Sequence, residues 1–323
     1  MARAVRCNIT SVRRSLVGSL LVLAACSGRP AAPQTAESPA APAPASSALP
    51  ASSTEPVAAA GTAAPPSYRD CGTGCKAFAN AEAALDYVLD EKPRVLAVGE
   101  AHAQSTGPKL ASSTKRFMDG LLPRLAPRAA DLVIELWLAN GSCGKVEQKV
   151  QKQQEAVTAP QAATNQNEFM ELGHRAKALG IMPHALVPSC EQYQKIAGAG
   201  ADDIAEMLTM IKVVTAHDVG ELLVKRGPER LVVAYGGAMH NDLVPRPGRE
   251  EFSFGPELAK ATADRYVELD LVIPEQIKDS DTWRALPWYA QYSAEKPGNE
   301  AYLLSWAPRA YALVFPKTQE LSP

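Results

Sequence analysis

Arg94-Val-Leu-Ala-Val-Gly-Glu-Ala-His102 constrains this chain more than any other stretch. Val95 to Val98 is an apolar run too short for a buried helix, and it stops at Gly99 with Glu100 and His102 directly after. A buried strand that ends at a glycine and then presents ionisable side chains delivers them to the carboxyl edge of an α/β sheet, where ligands bind. Arg230-Leu-Val-Val-Ala-Tyr-Gly-Gly-Ala-Met-His240 repeats the design. The carboxyl ends of parallel strands share one edge, so the two histidines can converge although 138 positions separate them.

The segments between these motifs alternate in type. A helical stripe runs from Phe78 to Leu89, and a second helix is expected over Lys109 to Leu125, ended by Pro123 and Pro127. Asp131 to Trp137 reads as a buried strand, 145–158 as an exposed helix or loop, and Glu168 to Leu179 as a helix ending at Gly180. Ile181 to Val187 is a short strand, and Asp202 to Lys225 an amphipathic helix with Ile204, Met207, Leu208, Ile211 and Val214 on one face. Tyr266 to Ile273 alternates like a half-buried strand, and Ala310 to Phe315 is a last one. The expected fold is a single α/β domain over 68–323, with a largely parallel sheet flanked by helices. The aromatics from Trp283 to Trp306 read as a packed cover over the sheet, with a ligand-facing lid as the alternative.

Five histidines are present. His102 and His240 follow strand-to-glycine transitions, and His184 lies in the short third strand. His174 and His217 fall in helical patterns and read as surface or packing residues. Glu135 stands inside the apolar run Leu132 to Trp137, where an unpartnered charge is costly, so a cation, an arginine, a metal or a proton is expected beside it. Glu100, His102, Glu135 and His240 are therefore the candidate site, and His184 is a further, less favoured candidate for it. The plainer alternative is that these side chains only satisfy buried hydrogen bonds. No serine-hydrolase elbow, phosphate loop or dinucleotide fingerprint occurs.

Gly99-Glu100-Ala101-His102 at the end of a first strand, with Gly237-Ala-Met-His240 late in the domain, resembles the superfamily of the ChaN-like haem-uptake lipoproteins, the erythromycin esterases and the Tiki/TraB proteins. The likeness spans residues 94–273. The ChaN branch shares the glycine–glutamate–any–histidine spacing. Erythromycin esterases carry one more residue between glutamate and histidine, and Tiki-type proteins usually lack the first glutamate. ChaN-like motifs commonly continue with Asp-Asn, where this chain has Ala103-Gln104. The ChaN resemblance implies haem or a metal ligand at the carboxyl edge, with His102, Tyr235, His240 and His184 as candidate haem-binding residues and Glu100, His102 and His240 as candidate metal ligands. The esterase and Tiki resemblance implies a metal-dependent hydrolase. In it Glu100 or Glu135 is the general base, and His102 and His240 bind a metal or polarise a carbonyl.

The N-terminus reads as a targeting segment. Arg3, Arg6, Arg13 and Arg14 precede an apolar core from Leu16 to Ala25 that is too short to span a bilayer. Leu23-Ala24-Ala25-Cys26 looks like a bacterial lipobox, so residues 1–25 are expected to be a signal peptide and Cys26 a lipidated anchor. Their removal takes away four arginines and no acid, moving the formal net charge from -2 to -6. Residues 26–67, dominated by Ala, Pro and Ser, are expected to form a disordered tether. The expected location is the bacterial cell envelope, with the lipid anchored in the outer membrane, the sorting that Ser27 after Cys26 favours. The expected partners are a small molecule and that membrane; a mildly acidic chain without a basic block excludes nucleic acid. In an exported protein the even set Cys71, Cys75, Cys143 and Cys190 argues for two disulfides among three possible connectivities. Proximity favours Cys71–Cys75 and Cys143–Cys190 over a four-cysteine zinc site.

Overall fold

The computed structural model describes residues 67–318, apart from 107–108, 138, 140 and 295–297, and all of these belong to one compact unit. The signal peptide, Cys26 and the tether up to Pro66 lie outside the described residues. One nine-stranded sheet organises the chain, in the order β1-β2-β8-β9-β7-β3-β6-β4-β5. Its strands are β1 Arg69–Gly72, β2 Cys75–Phe78, β3 Val95–Glu100, β4 Ala129–Trp137, β5 Met182–Leu186, β6 Leu231–Gly237, β7 Tyr266–Val272, β8 Ala301–Ala307 and β9 Ala310–Val314. From β9 through β7, β3, β6 and β4 to β5 every pairing is parallel, whereas β1, β2, β8 and β9 pair antiparallel.

Helices cover both faces of the parallel part. Leu96 and Val98 of β3 pack with the Ala81–Leu89 helix, helix 113–125 and the Asn165–Ala178 helix. Val95 and Ala97, pointing the other way, pack with the Cys190–Gly198, Asp203–Arg226 and Gly255–Ala261 helices. This period-two division is why the parallel strands read as unbroken apolar runs. β2, β8 and β9 close a third cluster around Trp288. Among the described residues no helix is long and apolar enough to cross a membrane.

Several boundaries differ from the sequence reading, each for a local reason. Phe78 ends β2, and its helix starts only at Ala81, because the Asn80 side chain accepts the Ala83 N–H and caps it. The second helix starts at Ser113 and runs through Pro123 to Leu125. Phe117–Leu121 forms a π turn just before the proline, and the wider turn gives room for a residue that lacks an N–H and crowds the preceding carbonyl. The Cys190–Gly198 helix, unforeseen, opens on a capping box between Ser189 and Gln192. The Asp203–Arg226 helix buries Met207, Val214 and Val219, but Ile204 of the expected apolar stripe is 49% exposed. The aromatic segment is mainly a packed cover: Trp288 is 2% exposed among Trp283, Tyr289 and Tyr292.

β7 departs most. Its alternation suggested one face in solvent, yet all seven residues are buried. The polar positions Glu268 and Asp270 lie beneath the loop that follows β6.

Cys71–Cys75 and Cys143–Cys190 are disulfide-bonded. The first closes the β1–β2 turn. The second ties the segment after β4 to the helix after β5. Mass spectrometry of unreduced protein should find all four thiols blocked in these pairs. The chain-entropy cost of opening a 47-residue loop puts the loss from Cys143→Ser/Cys190→Ser at about 4 kcal/mol in urea unfolding, against about 2 kcal/mol for the short Cys71–Cys75 loop.

Candidate functional site at the carboxyl edge

The register of the sheet assembles the site. Gly99 pairs with Gly236 and Glu100 with Gly237 across β3 and β6, while β4 lies on the far side of β6 with Ile134 opposite Tyr235. Glu100 and Gly237 thus end neighbouring strands at one level, and Glu135, near the end of β4, lies beside Gly236 one residue lower. His102 follows Glu100 by two residues and His240 follows Gly237 by three, so the histidine-bearing turns rise from neighbouring strands.

Glu100 is 3% exposed and fully partnered. His102 Nδ1 donates to its Oε1 at 2.8 Å, and Thr114 Oγ1 donates to its Oε2 at 3.2 Å. The Tyr235 hydroxyl in turn donates to Thr114 Oγ1 at 3.2 Å. A hydrogen-bonded line therefore runs from the core to His102 and fixes that ring with Nε2 outward. Burial disfavours a charged ring here, but the hydrogen bond and charge of Glu100, with the charge of Glu135, outweigh it and raise the His102 pKa to about 9.

Glu135 is held separately. The Gly237 N–H donates to its Oε2 at 2.7 Å. It leans across Gly236, where an added Cβ would lie 2.8 Å from the Glu135 Cβ, so this position requires glycine for a close approach. His240 is 3% exposed, and its Nδ1 donates to the Phe252 carbonyl at 2.8 Å, leaving Nε2 3.9 Å from Glu135 Oε1. His102 Nε2 and Glu135 Oε2 both approach Gly237, at 3.4 and 3.6 Å from where a Cβ would stand, so they lie at most about 7 Å apart. Four of the expected residues therefore meet: Glu100, His102, Glu135 and His240.

The other two stand elsewhere. Tyr235 is 2% exposed in the core beneath the site, and burial first, then the nearby Glu100 charge, pushes its phenol well above the usual range. His184 faces Asp131, with Nε2 2.9 Å from Oδ1, and Arg226 holds the same carboxylate through Nε at 2.7 Å and Nη2 at 2.9 Å. Burial alone would raise the Asp131 pKa, but the Arg226 and His184 contacts overcome it and hold it below the usual carboxylate range. That cluster serves the fold.

The four residues floor a cavity of about 1200 Å³, larger than the roughly 300–1000 Å³ of small-molecule clefts. One wall is hydrocarbon: Trp137, Leu186, Ile204, Met207, Leu208 and Ile211. The rest of the lining carries the carboxamides of Gln151, Gln154, Gln161, Asn165 and Gln166, with the charged Glu155, Glu275 and Lys278. The exposed edge of the Asp203–Arg226 helix is thus cavity lining, which is where its surplus apolar stripe goes. Sequence reading missed this amide wall, Thr114, the Gly237 N–H and the Phe252 carbonyl; only the Gln-rich composition of 145–166 carried a signal for any of them.

Among the described residues no three His, Cys, Asp or Glu side chains are placed to hold a metal ion. The Nδ1 atoms of His102 and His240 are engaged by the Glu100 carboxylate and the Phe252 carbonyl, which leaves both Nε2 atoms as the available ring donors. For haem iron, Tyr235 and His184 are turned to other partners, which leaves the Nε2 atoms of His102 and His240 as candidate donors.

Fold and site define an α/β protein with a histidine- and glutamate-floored cleft at the carboxyl edge of its parallel strands. No family model matches the chain, and no curated protein matches it. Among solved structures, the type III effector HopBA1 aligns over 73% of this chain and 94% of its own, at 9% identity and a TM-score of 0.38. A likeness that remote carries no argument about function.

The raised His102 pKa has a stability consequence. The ring binds its proton more tightly folded than unfolded, so its contribution is complete below about pH 6.5 and is lost as pH rises through about 9. Urea unfolding at pH 6 and pH 9.5 should show the wild-type protein losing about 3 kcal/mol more than His102→Gln over that interval.

Proposed function

We propose that this cleft is a hydrolytic site for a large, neutral, amphipathic small molecule, working by proton transfer between glutamate and histidine. The observation that carries the reading is the pairing of unlike groups on one floor. His102 is held as an imidazolium by Glu100, while Glu135 and the His240 Nε2 face each other 3.9 Å apart. A fixed cation beside a carboxylate and an imidazole nitrogen sets an acid and a base on one floor.

In this reading a water bound near Glu135 and His240 loses its proton to that pair, with the Phe252 carbonyl keeping the His240 ring oriented. The His102 cation stabilises the negative charge that develops on the attacked carbonyl and then protonates the leaving group. Glu100 acts through His102. The hydrocarbon wall and the amide wall supply binding to the apolar and hydrogen-bonding faces of the substrate. Among the described residues no three metal-ligating side chains gather at this floor. Binding of haem or another iron or metal ligand is the second reading, favoured by the cavity's size and its hydrocarbon wall.

A panel of amphipathic esters and lactones assayed with the full chain tests the proposal. Hydrolysis is expected, with kcat/KM falling about 100-fold in Glu135→Gln and in His240→Gln, and unaffected by chelators. Absence of turnover across the panel, or variants as active as the wild type, would sink it. A Soret shift on haem titration that disappears in His102→Ala would favour the second reading instead.

We also propose that the chain is exported and held at the cell envelope through lipid on Cys26. The two disulfides support this, since such bonds persist in oxidising compartments. Labelled fatty acid should enter the wild-type protein and not Cys26→Ser; equal labelling would rule the anchor out.

A further inference from the structure

β7 places Tyr266, Glu268 and Asp270 at alternate positions, so the three side chains share one face, and all are buried. Polar groups enclosed in a row must find partners. They find them in one segment, the loop between β6 and the Gly255–Ala261 helix. The Tyr266 hydroxyl donates to the Asn241 carbonyl at 2.6 Å. The Leu243 N–H donates to Glu268 Oε2 at 2.5 Å, and Asn241 Nδ2 donates to Asp270 Oδ1 at 3.0 Å. Asn241 Nδ2 also reaches the Ala97 carbonyl of β3 at 3.3 Å.

Asn241 is 2% exposed and adjoins His240. The loop's return strand closes on the same point. Phe254 N–H donates to the His240 carbonyl at 2.9 Å, and Ser253 Oγ donates to the His240 and Asp242 carbonyls at 3.1 and 2.6 Å. Phe252 is thereby set where its carbonyl takes the His240 Nδ1 proton. The seat is tight from below as well. A Cβ on Gly99 would stand 2.6 Å from both Asn241 Oδ1 and Asp270 Oδ1 and 2.7 Å from Ala238 Cα, so the loop descends to this depth only over a glycine.

We propose that Tyr266, Glu268 and Asp270 of β7, with Asn241, are positioning residues for His240: they seat the loop, and the seated loop fixes the ring's place and tautomer. Its chemical consequence rests on the site assignment made above, but the geometry does not. Burial raises the pKa of both Glu268 and Asp270, helped at Glu268 by the Asp270 charge and opposed at Asp270 by the Asn241 hydrogen bond. An uncharged amide of the same shape is therefore a conservative replacement at either position.

The test uses the full chain with histidine side chains labelled with nitrogen-15. A Nδ1 proton held by a carbonyl exchanges slowly and gives a resolved resonance, assigned to His240 by its loss in His240→Gln. Exchange of that proton should quicken about tenfold or more in Asn241→Ala and Asp270→Ala, because local opening exposes it. Asp270→Asn and Glu268→Gln should leave it close to wild type. Tyr266→Phe keeps the ring in the core and removes one bond to the loop, so it serves if the alanine variants do not fold; its exchange should also quicken. A folded Asn241→Ala or Tyr266→Phe protein with unchanged His240 exchange would overturn the proposal, whatever its melting temperature. Ester hydrolysis is followed in parallel. Quickened exchange in a protein without hydrolase activity supports the seating and removes only the hydrolytic reading. Unchanged exchange in an active protein removes only the seating.

Discussion

The pairing of β3 with β6 places a buried carboxylate, Glu100, level with Gly237 at the edge of the sheet, and much of the site follows from satisfying it. An isolated charge at 3% exposure would be lost to protonation or to unfolding. Here Thr114 comes from the helix after β3 and His102 from the turn at the strand's end, and together they complete the carboxylate's hydrogen bonds. The same contacts orient His102 and keep it charged. One electrostatic requirement thus produces a fixed cation at the floor of an open cleft.

The second glutamate is held by different means. Glu135 has a backbone donor, the Gly237 N–H, and a ring facing it, His240, which belongs to a loop rather than a strand. Strands place Glu100 and Glu135 through the sheet's own hydrogen bonds. His240 depends on a loop that must be seated by side chains, and the polar face of β7 provides the seat. Two glycines, Gly99 and Gly236, give the close approaches that this arrangement needs.

The cavity walls show how one helix serves two ends. Along Asp203–Arg226 the apolar stripe is wider than the core requires, and the excess residues Ile204, Leu208 and Ile211 line the cleft. The Cys143–Cys190 bond fastens the Lys145–Thr158 helix, which carries Gln151 and Gln154 of the cavity lining, to the helix after β5. That helix is mostly polar and exposed, so a covalent tie compensates for its thin packing.

What the sequence by itself determined is the parallel core and the four floor residues. Unbroken apolar runs at Val95 to Val98 and Leu231 to Tyr235 specify strands buried on both faces, and a glycine followed by ionisable groups specifies their carboxyl ends. Those signals are local, so they are legible without a fold. The tertiary structure alone decided which histidines join the site: His184 shares its strand's character but finds Asp131 and Arg226, and Tyr235 points into the core. It alone decided the meaning of β7, whose alternation has the same period whether the polar face meets water or another segment. Periodicity reports which side chains share a face; what covers that face is set by contacts between residues far apart in the chain.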